Sequence, residues 1–201
     1  DVYKRQAKGP WLDRVPEHMT VIGGGNVAFD IARTMARLQK QKFGKVKIDL
    51  LCLESREEMQ ADEEEIIEGM EEGIKVHPSY GPKDIVVEKG RVTGVEFIKC
   101  LSVFDEEGRF SPKFDEGQKL TIETGYVVES IGQGANISYI PEKIRKQLEF
   151  TPAGKFKVNE EGQTSLPWLF AGGDIVRGPD VITGIADGHR AARGIDRYLS
   201  G

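Results

Sequence analysis

The sequence predicts an α/β fold in three layers, built from a parallel sheet, its connecting helices and a β-meander laid on one face. Three observations carry that prediction. An apolar strand at Val21-Ile22 runs through Gly23-Gly24-Gly25 into a segment of helical period. Residues 45–53 then form a run that alternates and becomes wholly apolar, as a buried parallel strand requires. From Ile74 the pattern changes from helical to alternating.

Residues 26–39 place Val27, Ala28, Ile31, Ala32, Met35 and Ala36 on one helical stripe, and Gly44 ends the segment. The strand over 45–53 finishes at Glu54. Gly23, Gly25 and Ala28 make G-x-G-x-x-A, the dinucleotide-binding fingerprint in its alanine-ended form. Each small residue has a physical reason. Gly23 lets the chain turn off the strand, Gly25 lets backbone approach a pyrophosphate, and Ala28 lets the helix pack close to the sheet. The helix then aims its free N–H groups and positive dipole end at the phosphates. An acid at the tip of the second strand, here Glu54, is where such a unit hydrogen-bonds the adenosine ribose. A glycine triplet alone also suits any tight strand-to-helix turn. Strand, turn, helix, strand and acid in this order predict a Rossmann-like βαβ unit.

Residues 55–61 read as a loop. Asp62 with Glu65 makes a capping-box pattern, Ile66, Ile67 and Met70 bury one side of a helix, and Gly73 stops it. The nine carboxylates between Glu57 and Glu72 fit a solvated helix face better than a metal or partner patch. A third parallel strand is expected over 74–76 and a loop over 78–82. Residues 84–88 and 91–97 alternate around Lys89-Gly90, a hairpin signal. The polar stretch 105–118 reads as a loop, and 119–124 and 126–131 as strands.

A net charge of −5 with 30% charged residues argues against a nucleic-acid or anionic-membrane surface. No apolar run is long enough to cross a bilayer, and no signal peptide pattern opens the chain. Cys52 and Cys100 fall in predicted strands, and without C-x-x-C no iron–sulfur, zinc or dithiol site is expected. No metal ligand set is predicted, and a reducing cytoplasmic setting fits. Residues 1–14 read as irregular linker, and Asp1 in place of an initiator methionine suggests a partial gene product. His18, His77 and His189 suit structural or surface roles, and Asp30 complements the helix dipole. No Ser/His/Asp or Cys/His arrangement stands out, so no catalytic residue is assigned.

Further along, Ile131-Gly132-Gln133-Gly134-Ala135-Asn136 closes the β-rich stretch. Trp168-Leu169-Phe170-Ala171-Gly172-Gly173-Asp174 follows, then Gly178-Pro179, Val181-Ile182-Thr183 and a helix over 186–199. The first resembles the exit from the nicotinamide domain of two-dinucleotide-binding-fold flavoprotein reductases, and the second resembles their second FAD motif. With Gly-Gly-Gly-Asn-Val-Ala-Phe-Asp at 23–30 and Glu-Ser-Arg-Glu-Glu-Met at 54–59, residues 18–201 are similar to the glutamate synthase small subunit (β chain) and related electron-input subunits.

The resemblance implies a nicotinamide-nucleotide (NAD or NADP) domain over 15–132 and the C-terminal segment of a FAD-binding domain over 133–201. It implies an NAD(P)H-dependent oxidoreductase that passes hydride to FAD and electrons on to a partner subunit. Gly23, Gly24, Gly25, Asn26 and Val27 would then meet the pyrophosphate. Glu54, Ser55 or Arg56 would meet the adenosine ribose, and Gly132 the nicotinamide side. Gly173 and Asp174 would address the ribityl chain of FAD, with Ile182 and Thr183 at the helix start near the flavin ring. Glu54 at the strand tip leans the choice to NAD(H), although glutamate synthase subunits tend to carry basic residues there. Gly125-Tyr126 also departs from the small residue and aspartate usual in relatives. The family's iron–sulfur domain and first FAD glycine motif have no counterpart in the sequence, so the chain alone is not expected to retain FAD. Apolar tail surface meant for that missing portion would favour self-association into a homo-oligomer. The alternative is a non-catalytic nicotinamide-nucleotide sensor module, for which a flavin motif at Gly173-Asp174 would have no use.

Overall fold

The computed structural model describes residues 14–178 and 180–201. Nearly all of the expected linker over 1–14, and Pro179, therefore lie outside the described residues. The chain divides into two compact units, one ending at Gly132 and the other spanning Gln133–Gly201.

In the first unit β1 (Met19–Ile22), α1 (Asn26–Phe43) and β2 (Ile48–Leu51) are followed by α2 (Glu63–Glu71) and β3 (Lys75–His77). Next come β4 (Tyr80–Glu88), β5 (Arg91–Phe104), β6 (Phe110–Glu123) and β7 (Val127–Glu129). The parallel sheet has the order β3-β2-β1-β7, and β4-β5-β6 is a separate antiparallel sheet. Successive strand residues point to opposite faces. Met19, Val21, Ile48 and Leu50 accordingly join Ala28, Phe29, Ala32 and Ile66 on the helical side. Ile22 and Leu51 meet Val95, Phe97 and Ile122 of the meander on the other. The three predicted layers are helices, parallel sheet and meander.

Phe29 is fully buried, a contribution of roughly 1.5–3 kcal/mol. A Cβ on Gly69 of α2 would stand 2.9 Å from its Cδ1, so α2 crosses Phe29 closer than alanine would allow. Outside that contact, Arg33 of α1 bonds Glu65 at 2.5 Å, Glu72 at 3.2 Å and also Glu68, while Arg37 bonds Glu72 at 2.6 Å. The acids expected only to be solvated thus partly clamp α2 onto α1. Gly44 ends α1 with φ +71° and donates its N–H to the Lys40 carbonyl, as its place in the sequence predicts.

Two loop expectations are corrected. Residues 80–82 belong to β4, because a register shift between Pro82 and Asp84 absorbs the residue that cannot donate to the ladder. Residues 110–118 belong to β6, which pairs with the extended β5 through several register shifts. The turn signal there is confined to the start, where Asp105 Oδ1 accepts the N–H groups of Glu107 and Arg109. The Lys89-Gly90 hairpin forms as predicted, with φ +50° and +76° in the pair.

The second unit contains α3 (Glu142–Arg145), a 3-10 turn at Gly173–Ile175 and α4 (Val181–Ser200). Helix α4 begins well before residue 186, because Asp180 caps it by accepting the Thr183 N–H at 2.6 Å. Among the described residues no helix is long and apolar enough to cross a membrane.

Candidate nucleotide-binding site

Strand β1 lies between β2 and β7 and runs parallel to both. The chain leaves β1 towards β2 and returns later on the other side as β7, so the sheet order reverses at the carboxyl end of β1. Ligands of open α/β sheets bind in the crevice at such a point.

Gly23 turns the chain there with φ +140°, and a Cβ on it would stand 2.1 Å from the Ser130 carbonyl oxygen just beyond β7. The turn is pinned from both sides: Gly23 N–H donates to the Leu51 carbonyl at 2.8 Å, and Ser130 N–H donates to the Ile22 carbonyl at 2.7 Å. Gly24 is also walled in, its Cβ position 2.9 Å from Cys52 Cβ and 3.2 Å from Glu54 Oε2. Gly25 is different. No atom lies within 4 Å of where its Cβ would be, and its carbonyl accepts the first helical bonds, from Ala28 and Phe29. The N–H groups of Asn26 and Val27 therefore lead the helix without an intrahelical acceptor. A closed wall at Gly23 and Gly24, an opening at Gly25 and a helix start behind it fit the diphosphate of a dinucleotide. Ala28 is fully buried against the sheet.

The Asn26 side chain has another task. Its Nδ2 donates to Asp62 Oδ2 at 2.9 Å, and its Oδ1 accepts the Asp62 N–H at 2.7 Å. Asp62 consequently does not cap α2 with its own carboxylate, contrary to the capping-box expectation. With the Ala61 N–H donating to the Gly24 carbonyl at 3.0 Å, the segment before α2 is tied to the glycine turn. The Asn26 side chain is thus engaged by Asp62, and its backbone N–H is left without an intrahelical acceptor. The exposed Val27 side chain stands beside it.

At the tip of β2, half-buried Glu54 is followed by Ser55 and Arg56. The Ser55 N–H donates to Glu58 Oε2 at 3.3 Å, and Arg56 Nη2 donates to Glu63 Oε1 at 2.6 Å. Cys52 lies beneath the turn, its thiol pushed up to about 12 by burial and then by the Glu54 carboxylate. Cys52 and Cys100 are both buried and free. Gly132 follows β7 with φ +89°, exposed and with open space around it.

His18 and His77, separate in the sequence reading, converge on one carboxylate. Each donates Nε2–H to Asp49 at 2.7 Å. Burial would raise the Asp49 carboxyl, but the two imidazoles hold it below the usual aspartate range.

In the second unit Gly173 has φ +70° and donates its N–H to Asp187 Oδ2 at 3.0 Å. Asp174 is exposed on the same 3-10 turn. Ile182 is exposed at the start of α4, where Thr183 is engaged by the Asp180 cap. Buried Asp187 also accepts Arg177 Nε at 2.9 Å and Arg190 Nη1 at 2.6 Å. A Cβ on Gly172 would stand 2.8 Å from Asp187 Cβ, so this glycine lets the turn meet the helix.

Sequence reasoning missed Ser130, Asp62 and Asp187 as supports. Only Asp187 left a signal, an acid three residues before Arg190 on a helix.

Residues 3–192 match the family model described as pyridine nucleotide-disulphide oxidoreductase. The chain is 36% identical over 195 residues to NADP(+)-dependent formate dehydrogenase subunit beta of Moorella thermoacetica, covering 94% of this chain and 26% of that protein. It is 30% identical over 195 residues to the glutamate synthase [NADPH] small chain of Azospirillum brasilense, covering 93% and 38% respectively. Its fold resembles the crystal structure of T. acidophilum thioredoxin reductase with a TM-score of 0.72 at 20% identity, over 94% of this chain and 55% of that one. The chain thus spans less than half the length of these two curated relatives. Because the relatives carry different enzyme names, the resemblance to glutamate synthase small subunits broadens to the superfamily of two-dinucleotide-binding-fold NAD(P)H/FAD oxidoreductases. Within that superfamily, the chain belongs to the pyridine nucleotide-disulphide oxidoreductase family.

Proposed function

We propose that this chain is the nicotinamide-nucleotide-binding part of an NAD(P)H-dependent flavoprotein oxidoreductase of the electron-input type, as in glutamate synthase small chains. Residues 15–132 form the nucleotide domain, and residues 133–201 are a segment of a FAD-binding domain. The observation that supports this most is the opening at Gly25, set in an otherwise closed glycine turn at the point where the sheet order reverses.

The diphosphate is held by the N–H groups of Asn26 and Val27 and by the dipole of α1. Gly23 and Gly24 keep the turn tight, and Glu54, Ser55 and Arg56 border the adenosine ribose. Gly132 leaves room on the nicotinamide side. In the second unit Gly173, Asp174, Ile182 and Thr183 border the flavin. The nicotinamide nucleotide, when bound, would supply hydride-donor chemistry and FAD hydride-acceptor chemistry, and the residues named here would hold and orient each group. No side-chain acid or base is assigned, in keeping with chemistry that resides in cofactors. The name "subunit beta" of the formate dehydrogenase relative supports an electron-accepting partner subunit.

The test is oxidation of NADH and NADPH with a dye acceptor, with and without added FAD. Turnover that rises with FAD is the expected result. Nucleotide binding without turnover, at FAD concentrations that flavin fluorescence shows to saturate the chain, favours a sensor module instead.

A further inference from the structure

The two nicotinamide nucleotides differ by one phosphate on the adenosine ribose, which an enzyme admits by offering it cations and N–H donors. In this chain the groups placed to meet it are Glu54, Ser55 and Arg56, the three residues that follow β2 and its short extension. Their state can be read one by one.

Glu54 presents a carboxylate against the glycine turn, its Oε2 3.2 Å from the Cβ position of Gly24. Ribose lies next to the diphosphate, so this carboxylate meets two hydroxyl donors with two acceptor oxygens. A phosphate in the same place meets a like charge instead. The Ser55 N–H, a natural phosphate donor, is occupied by Glu58 Oε2 at 3.3 Å. The Arg56 guanidinium is drawn away to Glu63 at 2.6 Å. The Ser55 N–H and the Arg56 guanidinium are therefore each answered by a carboxylate of the chain itself.

Resting on the nucleotide site proposed above, we infer that this site selects NADH over NADPH and that the Glu54 carboxylate makes the selection, with the Ser55 N–H and the Arg56 guanidinium already paired to Glu58 and Glu63. The formate dehydrogenase and glutamate synthase relatives carry NADP in their names, so the selection separates this chain from them.

The test is titration of NADH and of NADPH into the purified chain, followed by nicotinamide fluorescence. It is repeated with Glu54→Gln and with Glu63→Gln, the fold of each checked by circular dichroism. NADH binds at least about tenfold more tightly than NADPH to the unmodified chain, equivalent to ~1.4 kcal/mol. Glu54→Gln narrows the ratio by about tenfold, mainly through a gain for NADPH, by removing a charge without changing side-chain size. Glu63→Gln, on the exposed start of α2, narrows it too by releasing Arg56. Equal or tighter binding of NADPH by the unmodified chain overturns the selection and leaves the nucleotide site standing. A ratio unmoved in folded Glu54→Gln removes Glu54 from the role. A chain that binds neither nucleotide overturns the site itself, and the selection with it.

Discussion

The carbonyl oxygen of Ser130 occupies the space that a side chain on Gly23 would need, 2.1 Å from the Cβ position. Of the two fingerprint glycines, Gly23 is thus required by the fold, whereas the open space at Gly25 leaves its role to the proposed ligand. Gly23→Ala should destabilise the first unit, since a φ of +140° costs an alanine ~1–3 kcal/mol before the clash with backbone is counted. Gly25→Val should instead fold, because its Cβ enters open space from an extended backbone, yet lose nucleotide binding by tenfold or more, about 1.4 kcal/mol. Thermal melts and NADH titrations of both variants separate the two roles. A folded Gly25→Val with unchanged affinity would remove the diphosphate from this turn.

Helix α4 approaches Gly172 closely enough that Asp187 can hold the Gly173 N–H. Burial pushes the Asp187 carboxyl up, but the Gly173 N–H, Arg190 and Arg177 together hold it below the usual range. Asp187→Ala should loosen the turn that bears Asp174, and Asp187→Asn should do so less, since an amide oxygen can still accept from Gly173. Hydrogen exchange of the Gly173 amide reads this directly. Equal protection in all three proteins would mean that the turn stands without the helix.

The family name speaks of disulphides, but the thiols of this chain are poorly placed for such chemistry. Cys52 is buried under the glycine turn and pushed up to about 12, so it is thiol rather than thiolate at neutral pH. Native protein should react with a thiol reagent far more slowly at Cys52 than urea-unfolded protein does. Rapid modification without unfolding would show that the turn opens.

The parallel core was legible because its signals are local and periodic. The stripe of Ala28, Ala32 and Ala36, the apolar run ending at Leu53 and the stop at Gly44 each dictate structure within a few residues, although strand pairing itself stops at Leu51. The meander was legible only in part. Pro82 and Pro112 read as loop residues until their strands are seen to shift register, and that shift depends on partners in β5. The site divides in the same way. Gly23, Gly25 and Glu54 declare themselves by spacing, whereas the Asn26–Asp62 and Arg56–Glu63 pairs join residues from different elements. A capping pattern at Asp62 was outcompeted by Asn26, a tertiary partner that no local pattern reveals.

The convergence of His18 and His77 on Asp49 makes an acid-dependent contribution to stability. Two imidazole hydrogen bonds outweigh burial and keep the Asp49 carboxyl lower when folded than when unfolded. The unfolded chain therefore takes up a proton first as pH falls, and stability rises with pH through that window. The contribution is complete above the ordinary aspartate value of ~3.9 and is lost as pH drops through the folded value. Asp49→Asn should cost about 1.5–3 kcal/mol at pH 7, the range for a hydrogen bond to a charged group. In urea titrations from pH 7 down to about pH 2, the gap between Asp49→Asn and the unmodified chain should hold to about pH 4 and shrink below it, as the carboxylate is neutralised first in the unfolded and then in the native chain. A gap that stays constant across that range would show that Asp49 acts by shape alone.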